Sequence, residues 1–268
     1  MMRASLAIPS GFLFKRTSRM NKLPQITLAF WIMKICATTL GETAGDLVSM
    51  TLNVGYALSS VILLAFFIAT LLGQLSARRY HPALYWTVIL STSVAGTTLS
   101  DFMDRTLGLG YATGSAILIA ILASIFCLWY LSERSLSVSA ITSRRAELFY
   151  WFAILFSNTL GTALGDYLAD DSGLGFAGGV LLIGSLIALM AILHYATNVS
   201  SVLIFWIAFV LTRPFGATLG DVLTKPHDHG GLDFGTIGSS LVLLTILLAL
   251  VCYASMKDRA APIKNLSP

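Results

Sequence analysis

Residues 151–166 read WFAILFSNTLGTALGD, and this stretch decides the fold. It opens on Trp151, turns small at Gly161 and closes on a carboxylate, Asp166, with no other charge between. The same frame recurs as Trp31/Gly41/Asp46, Trp86/Gly96/Asp101 and Trp206/Gly216/Asp221, with Gly ten and Asp fifteen residues after each Trp. An ionisable residue at the end of a membrane-length apolar run is expensive and by default marks an ion or proton pathway. Four such residues in register define a repeat.

Outward from these cores, the chain is 56% hydrophobic and 11% charged, with mean hydropathy +0.80. Soluble domains carry about 25% charged residues. Apolar runs near the ~20 residues that cross a bilayer recur at about 24–48, 54–76, 83–103, 109–131, 148–168, 174–195, 199–222 and 234–255. The expected fold class is therefore an all-α integral membrane protein of eight transmembrane helices.

The aspartates are spaced by 55, 65 and 55 residues. The longer interval holds the most polar internal stretch, SERSLSVSAITSRRAE. The expected organisation is an N-terminal segment 1–23, a first membrane half 24–131 (repeats one and two), a linker 132–147, a second half 148–255 (repeats three and four) and a tail 256–268. Two helices per unit make the four repeats parallel. Met20 opens the first repeat so directly that Met1 and Met20 stand as equal candidates for the start.

Segments 1–23, 77–82, 132–147, 196–198 and 256–268 hold 13 of the 17 basic residues, while the opposite loops hold only Arg105 and Lys225. The positive-inside rule places both termini in the cytoplasm. The basic pI of about 9.0 follows from that topology and calls for no nucleic-acid partner. The bilayer is the expected partner, and a homo-oligomer stays open. Cys36, Cys127 and Cys252 fall inside spans without CxxC pairing and are expected to be buried apolar residues. The tryptophans, near the starts of their helices, are expected in an interfacial belt.

Backward from each Asp in steps of four, one helical face carries Asp46, Glu42, Thr38 and Lys34; Asp101, Thr97 and Ser93; Asp166, Thr162 and Asn158; and Asp221, Ala217 and Arg213. The second helices carry no such stripe. Turned inward, the first helices would surround a polar cavity with five carboxylates against two cations, an excess of three negative charges. All its neutral and anionic donors are oxygen-bearing, which suits Mg²⁺, Mn²⁺ or Ca²⁺ better than Cu⁺ or Zn²⁺. The expected metal-binding set is Glu42, Asp46, Asp101, Asp166 and Asp221. Thr38, Ser93, Thr97, Asn158, Thr162, Lys34 and Arg213 would line the substrate pathway, the two cations as tethered counter-charges. The alternative is that each Asp caps the turn at its helix end. His227-Asp228-His229, in the turn of repeat four, is expected to be a solvated loop.

The second helix of each unit opens on a small-residue signature: Asn53-Val54-Gly55, Gly108-Leu109-Gly110, Gly173-Leu174-Gly175 and Gly231-Leu232-Asp233. In this alignment the fourth unit carries a three-residue insertion within 225–230. These glycines are expected to serve packing and tight turns.

Four tandem two-helix units with a G-x-x-x-[GS]-D core over about residues 24–255 resemble a bacterial family of membrane proteins defined by this repeat, whose function is poorly described. The resemblance implies membrane location and little more. GETAGD at 41–46 is also similar to the E-x-G-D motif of calcium/manganese cation–proton exchangers, in which acidic residues bind the transported ion. That similarity implies cation binding at Glu42 and Asp46 alone, since the other copies place Thr97, Thr162 and Ala217 where Glu42 stands.

The expected function is secondary transport of a divalent cation, manganese efflux coupled to protons, in the bacterial cytoplasmic membrane. No cofactor is expected, the divalent cation being substrate. No G-x-x-x-x-G-K-[ST], H-E-x-x-H or G-x-S-x-G motif is present, so neither an ATP-driven pump nor an enzyme is expected. A transporter of a small organic cation or polar metabolite and a non-transporting membrane scaffold stand as alternatives.

Overall fold

A computed structural model describes residues 22–260. The Met1/Met20 alternative and most of both terminal segments lie outside the described residues. Within them the protein is helical, with α1 (Leu28–Asp46), α2 (Tyr56–Ser76), α3 (Pro82–Asp101), α4 (Tyr111–Glu133), α5 (Arg144–Asp166), α6 (Gly175–Ala196), α7 (Ser201–Thr224) and α8 (Thr236–Ala260). Six of these, all but α1 and α3, are long and apolar enough to cross a membrane. α1 and α3 carry the densest hydroxyl and charged stripes, and both lie deep in the fold.

Local chemistry sets the helix starts. Thr27 caps α1 by accepting from Phe30 N, and Ser143 caps α5 by accepting from Ala146 N, which satisfies free amides of the first turn. Pro82 opens α3, where its fixed φ suits helix entry. After Asp46, Asp101 and Asp166 the backbone widens into a five-residue π-helical turn, at 47–51, 102–106 and 167–171. α7 lacks that turn and stays α-helical to Thr224.

The chain then reverses through a pair of left-handed residues two apart: Asn53/Gly55, Gly108/Gly110, Gly173/Gly175 and Asp233/Gly235. Left-handed backbone is open to glycine and tolerated by Asn and Asp. This corrects the sequence alignment of the fourth unit. Gly55, Gly110 and Gly175 each follow their Asp by nine residues, but Gly235 follows Asp221 by fourteen. The insertion is thus five residues, and Asp233 matches Asn53 where the sequence pattern had matched Gly231.

The first helices form a closed inner ring, α1 against α3, α3 against α5, α5 against α7 and α7 back against α1. Each second helix packs on the first helix of the next unit: α2 on α3, α4 on α5, α6 on α7 and α8 on α1. Of the most apolar stretch in α2, α4, α6 and α8, only 11–28% of residues are buried, against 72% in α5 and 61% in α7. The second helices are the outer wall.

The motif glycine allows the ring to close. A Cβ at Gly41 would run into Ser93, one at Gly96 into Asn158 and Thr159, one at Gly161 into Arg213 and Pro214, and one at Gly216 into Thr38. In every case the neighbour lies on the next inner helix, at or beside the position three before its own motif glycine. Small residues of this kind let helix backbones approach closely.

Two placements depart from the sequence reading. Trp86, Trp151 and Trp206 are buried, and Trp31 is half-buried. They pack edge-on and tilted with Phe30, Tyr85, Tyr150 and Phe205 into an aromatic plug at the end of the ring remote from the aspartates. The interfacial belt is therefore replaced by a core layer, because helix starts inside a ring face the neighbouring helices. Cys36 is buried, but Cys127 and Cys252 are exposed on α4 and α8, as befits helices that form the outer wall.

Candidate functional site

The polar stripes of α1, α3, α5 and α7 face one another, and the register set by the motif glycines stacks them in layers. Deepest is Lys34, fully buried, its Nζ 3.4 Å from Asn158 Oδ1 and 4.2 Å from the centre of the Phe209 ring. Asn158 Nδ2 donates to Thr92 Oγ1 at 2.9 Å, linking α5 to α3. Thr38 Oγ1 lies 3.1 Å from Thr212 O across the α1–α7 interface, and Ser93 packs against Gly41.

One turn nearer the aspartates, four helices contribute Glu42, Thr97, Thr162 and Ala217. Arg213 reaches into this layer from the turn below. Its Nη1 donates to Glu42 Oε2 at 2.9 Å, and its Nη2 to Thr97 Oγ1 at 2.5 Å and Thr162 Oγ1 at 2.6 Å. Neither Arg213 nor Glu42 is meaningfully exposed. The guanidinium thereby binds the three polar members of the layer, and Ala217 on its own helix adds no competing group.

The next layer holds Asp46, Asp101, Asp166 and Asp221, all buried. They are paired by the two cations that the sequence pattern had placed in outer loops. Arg105 Nε lies 3.0 Å from Asp101 Oδ1, and its Nη2 lies 3.2 Å from Asp166 Oδ2. Lys225 Nζ lies 3.1 Å from Asp46 Oδ2 and 3.2 Å from Asp221 Oδ1. Burial by itself would lower the Lys225 ammonium, but the facing Asp221 and Asp46 carboxylates raise it and keep it charged.

These pairings correct the charge balance. The sequence count of five carboxylates against Lys34 and Arg213 becomes five against four once Arg105 and Lys225 join, and the excess falls from three to one. The signal was present in the sequence. Both cations follow a motif Asp by four residues, the spacing of helix-face neighbours, while Met50 and Asp170 hold that place in repeats one and three. Asp104, also assigned to a loop, is buried and accepts from Ser100 Oγ at 3.2 Å.

A ligand set for a cation emerges on one side of the ring. Glu42, Asp46 and Asp221 each offer one carboxylate oxygen, all three within 4.8 Å of one another. An ion with oxygen ligands at about 2.1–2.5 Å places opposite ligands about 4–5 Å apart. Asp101 and Asp166 stand apart from this trio, held by Arg105. His227, Asp228 and His229 form an exposed turn, with Asp228 and His229 side chains 78% and 72% exposed.

A family model described as Repeat of Unknown Function (DUF347) matches residues 29–80, 84–135, 149–200 and 204–260. The chain belongs to this family. Each DUF347 match opens within three residues of a repeat tryptophan and spans one inner helix with the outer helix that follows. No curated protein and no solved structure matches the chain. In DUF347 terms, each repeat is one inner helix carrying the G-x-x-x-[GS]-D core plus one outer helix donated to its neighbour.

Proposed function

We propose that this DUF347 protein is an eight-span protein of the bacterial cytoplasmic membrane, both termini inside, that exports a hard divalent cation in exchange for protons. Manganese is the cation to test first, on the similarity of 41–46 to the exchanger motif. The observation that carries the reading is the convergence of Glu42, Asp46 and Asp221 oxygens within 4.8 Å in the buried core. Carboxylates suit an exchange cycle, since each can give up a metal ligand role by taking a proton. Lys34 and Arg213, fixed below the trio, oppose passage of a bare cation down the ring axis. Transport would therefore need rearrangement of the ring, as in a carrier.

One observation favours a second reading, the scaffold. Each of the five carboxylates already has an internal cation within 3.2 Å, and a closed ionic network can serve only to lock the ring.

The test is manganese flux in proteoliposomes under an imposed pH gradient, with intracellular metal content measured in cells that lack or overexpress the gene. Wild type should move manganese, and Asp46→Asn at equal protein level should not. Equal flux from both would detach transport from the trio, and none from either across a panel of divalent cations removes the transport reading.

A further inference from the structure

The two aspartate pairs look equivalent by repeat position, yet their cations are held very differently. Arg105 binds Asp101 and Asp166 through two separate nitrogens. Its guanidinium also lies over the rings of Tyr56 and Tyr111, at 6.0 and 5.6 Å. A planar guanidinium held by two carboxylates and two aromatic faces is a fixed structural counter-ion. Lys225 offers a single ammonium to Asp46 and Asp221, with no aromatic face on it among the described residues. Exposure does not separate the two cations, at 24% for the Lys225 side chain and 32% for Arg105.

The backbones beneath the two cations also differ. Arg105 sits within the π-helical turn that repeats one and three share. Lys225 stands at the end of α7, where repeat four replaces that turn by its five-residue insertion. The insertion folds back on the helix end: Asp233 N donates to Lys225 O at 3.0 Å, and Leu232 N to Val222 O at 2.6 Å. Lys225 is thus the last residue held by α7, its N–H donating to Asp221 O at 2.9 Å, and beyond it the chain enters the insertion. Lys225, and not Arg105, borders the trio of Glu42, Asp46 and Asp221.

We infer that Lys225 is a tethered competitor for the cation site: its ammonium occupies the place of the cargo between Asp46 and Asp221, and its side chain swings out when a divalent cation binds. This rests on the cation-binding reading of that trio. Charge supports it. Glu42, Asp46, Asp221 and Arg213 together leave two negative charges, which one divalent ion neutralises and one ammonium does not. Among the described residues only the Lys225 side brings three carboxylates close enough to share one ion, and the Arg105 side stays closed. The ring is thus functionally two-sided, with exchange at the α7–α1 interface and a permanent clamp at α3–α5.

The experiment is manganese titration by calorimetry on the purified full chain in nanodiscs, with folding checked by size exclusion and thermal unfolding. Lys225→Met should bind manganese about tenfold more tightly than wild type, the gain expected if the tether fills the site about nine times in ten. Lys225→Arg, which keeps a cation, should bind no more tightly than wild type. If Lys225→Met is unstable, Lys225→Gln is read in the same way. Lys225→Met affinity equal to or weaker than wild type, while wild type transports manganese, overturns the tether and leaves the transport reading standing. Binding by Lys225→Met with no binding by wild type supports the tether but removes transport, the lysine then being a permanent occupant. No binding by either overturns both.

Discussion

Arg213 on α7 and Glu42 on α1 form an ion pair of 2.9 Å across the interface that closes the helix ring, and both are buried. Because the ring runs α1–α3–α5–α7, this contact joins the first repeat to the last. Removing one partner leaves an uncompensated buried charge, whereas removing both does not. Glu42→Gln and Arg213→Met should each destabilise the protein by about 3–5 kcal/mol, and the double variant by less than the larger single effect. Thermal unfolding in detergent measures this. Additive losses would mean that the two side chains do not act as a pair.

The glycine docking makes a steric prediction with an internal control. A Cβ at Gly96 would lie 2.9 Å from Thr159 N and 3.0 Å from the Asn158 backbone, so the helices must separate. Gly73, in contrast, has only a Leu84 side-chain methyl at 3.6 Å. Gly96→Ala should cost about 1–3 kcal/mol, while Gly73→Ala should leave the unfolding midpoint unchanged or slightly raised. Equal tolerance of both would contradict the close α3–α5 approach.

The Tyr85 and Tyr150 hydroxyls meet at 2.7 Å inside the aromatic plug. Tyr85→Phe leaves the Tyr150 hydroxyl buried and unpaired, at a cost of about 1–3 kcal/mol. Replacing both by Phe should recover part of that loss, since two apolar rings have no unmet polar group. Detergent unfolding of the three variants checks the ordering.

Orientation can be read by thiol labelling in a background lacking Cys36, Cys127 and Cys252. Asp171 and Asp228 are exposed at the aspartate end, and Arg79 and Arg134 at the plug end. With both termini cytoplasmic, Asp171→Cys and Asp228→Cys should react with an impermeant maleimide on intact cells. Arg79→Cys and Arg134→Cys should react only after permeabilisation. The reverse pattern would invert the proposed topology. Asp104 and Lys225 make poor reporters, because Asp104 is buried and the Lys225 ammonium is tied to two carboxylates.

Asp171→Asn also serves as the control for transport. It changes an exposed carboxylate outside the ring, so manganese flux should match wild type, while Asp221→Asn should lose it along with Asp46→Asn. A hard divalent ion needs the charge that the amide lacks. Flux that survives Asp221→Asn would detach the site from the trio.

What the sequence determined by itself is everything that repeats along a single helix. The Trp–Gly–Asp frame marks four units, and steps of four from each Asp identify the polar face. The poverty of polar residues in the second helices marks them as the outer wall. These patterns are legible because a helix face is a local property, set by 3.6 residues per turn.

The tertiary structure alone decided which equivalent group meets which. That α2 packs on α3 and α8 returns to α1 depends on ring closure, to which no single repeat refers. That the tryptophans turn inward follows from neighbours on other helices. In sequence, Asp101 and Asp221 are marked by a cation four residues on, but nothing local says which second aspartate each cation reaches. The four aspartates divide into an Arg105 pair and a Lys225 pair only because the inter-helix register brings each cation, one turn past its own Asp, within reach of a second Asp on the adjoining helix. The register is set by close glycine contacts between segments that lie 52 residues or more apart, a distance over which local periodicity carries no information.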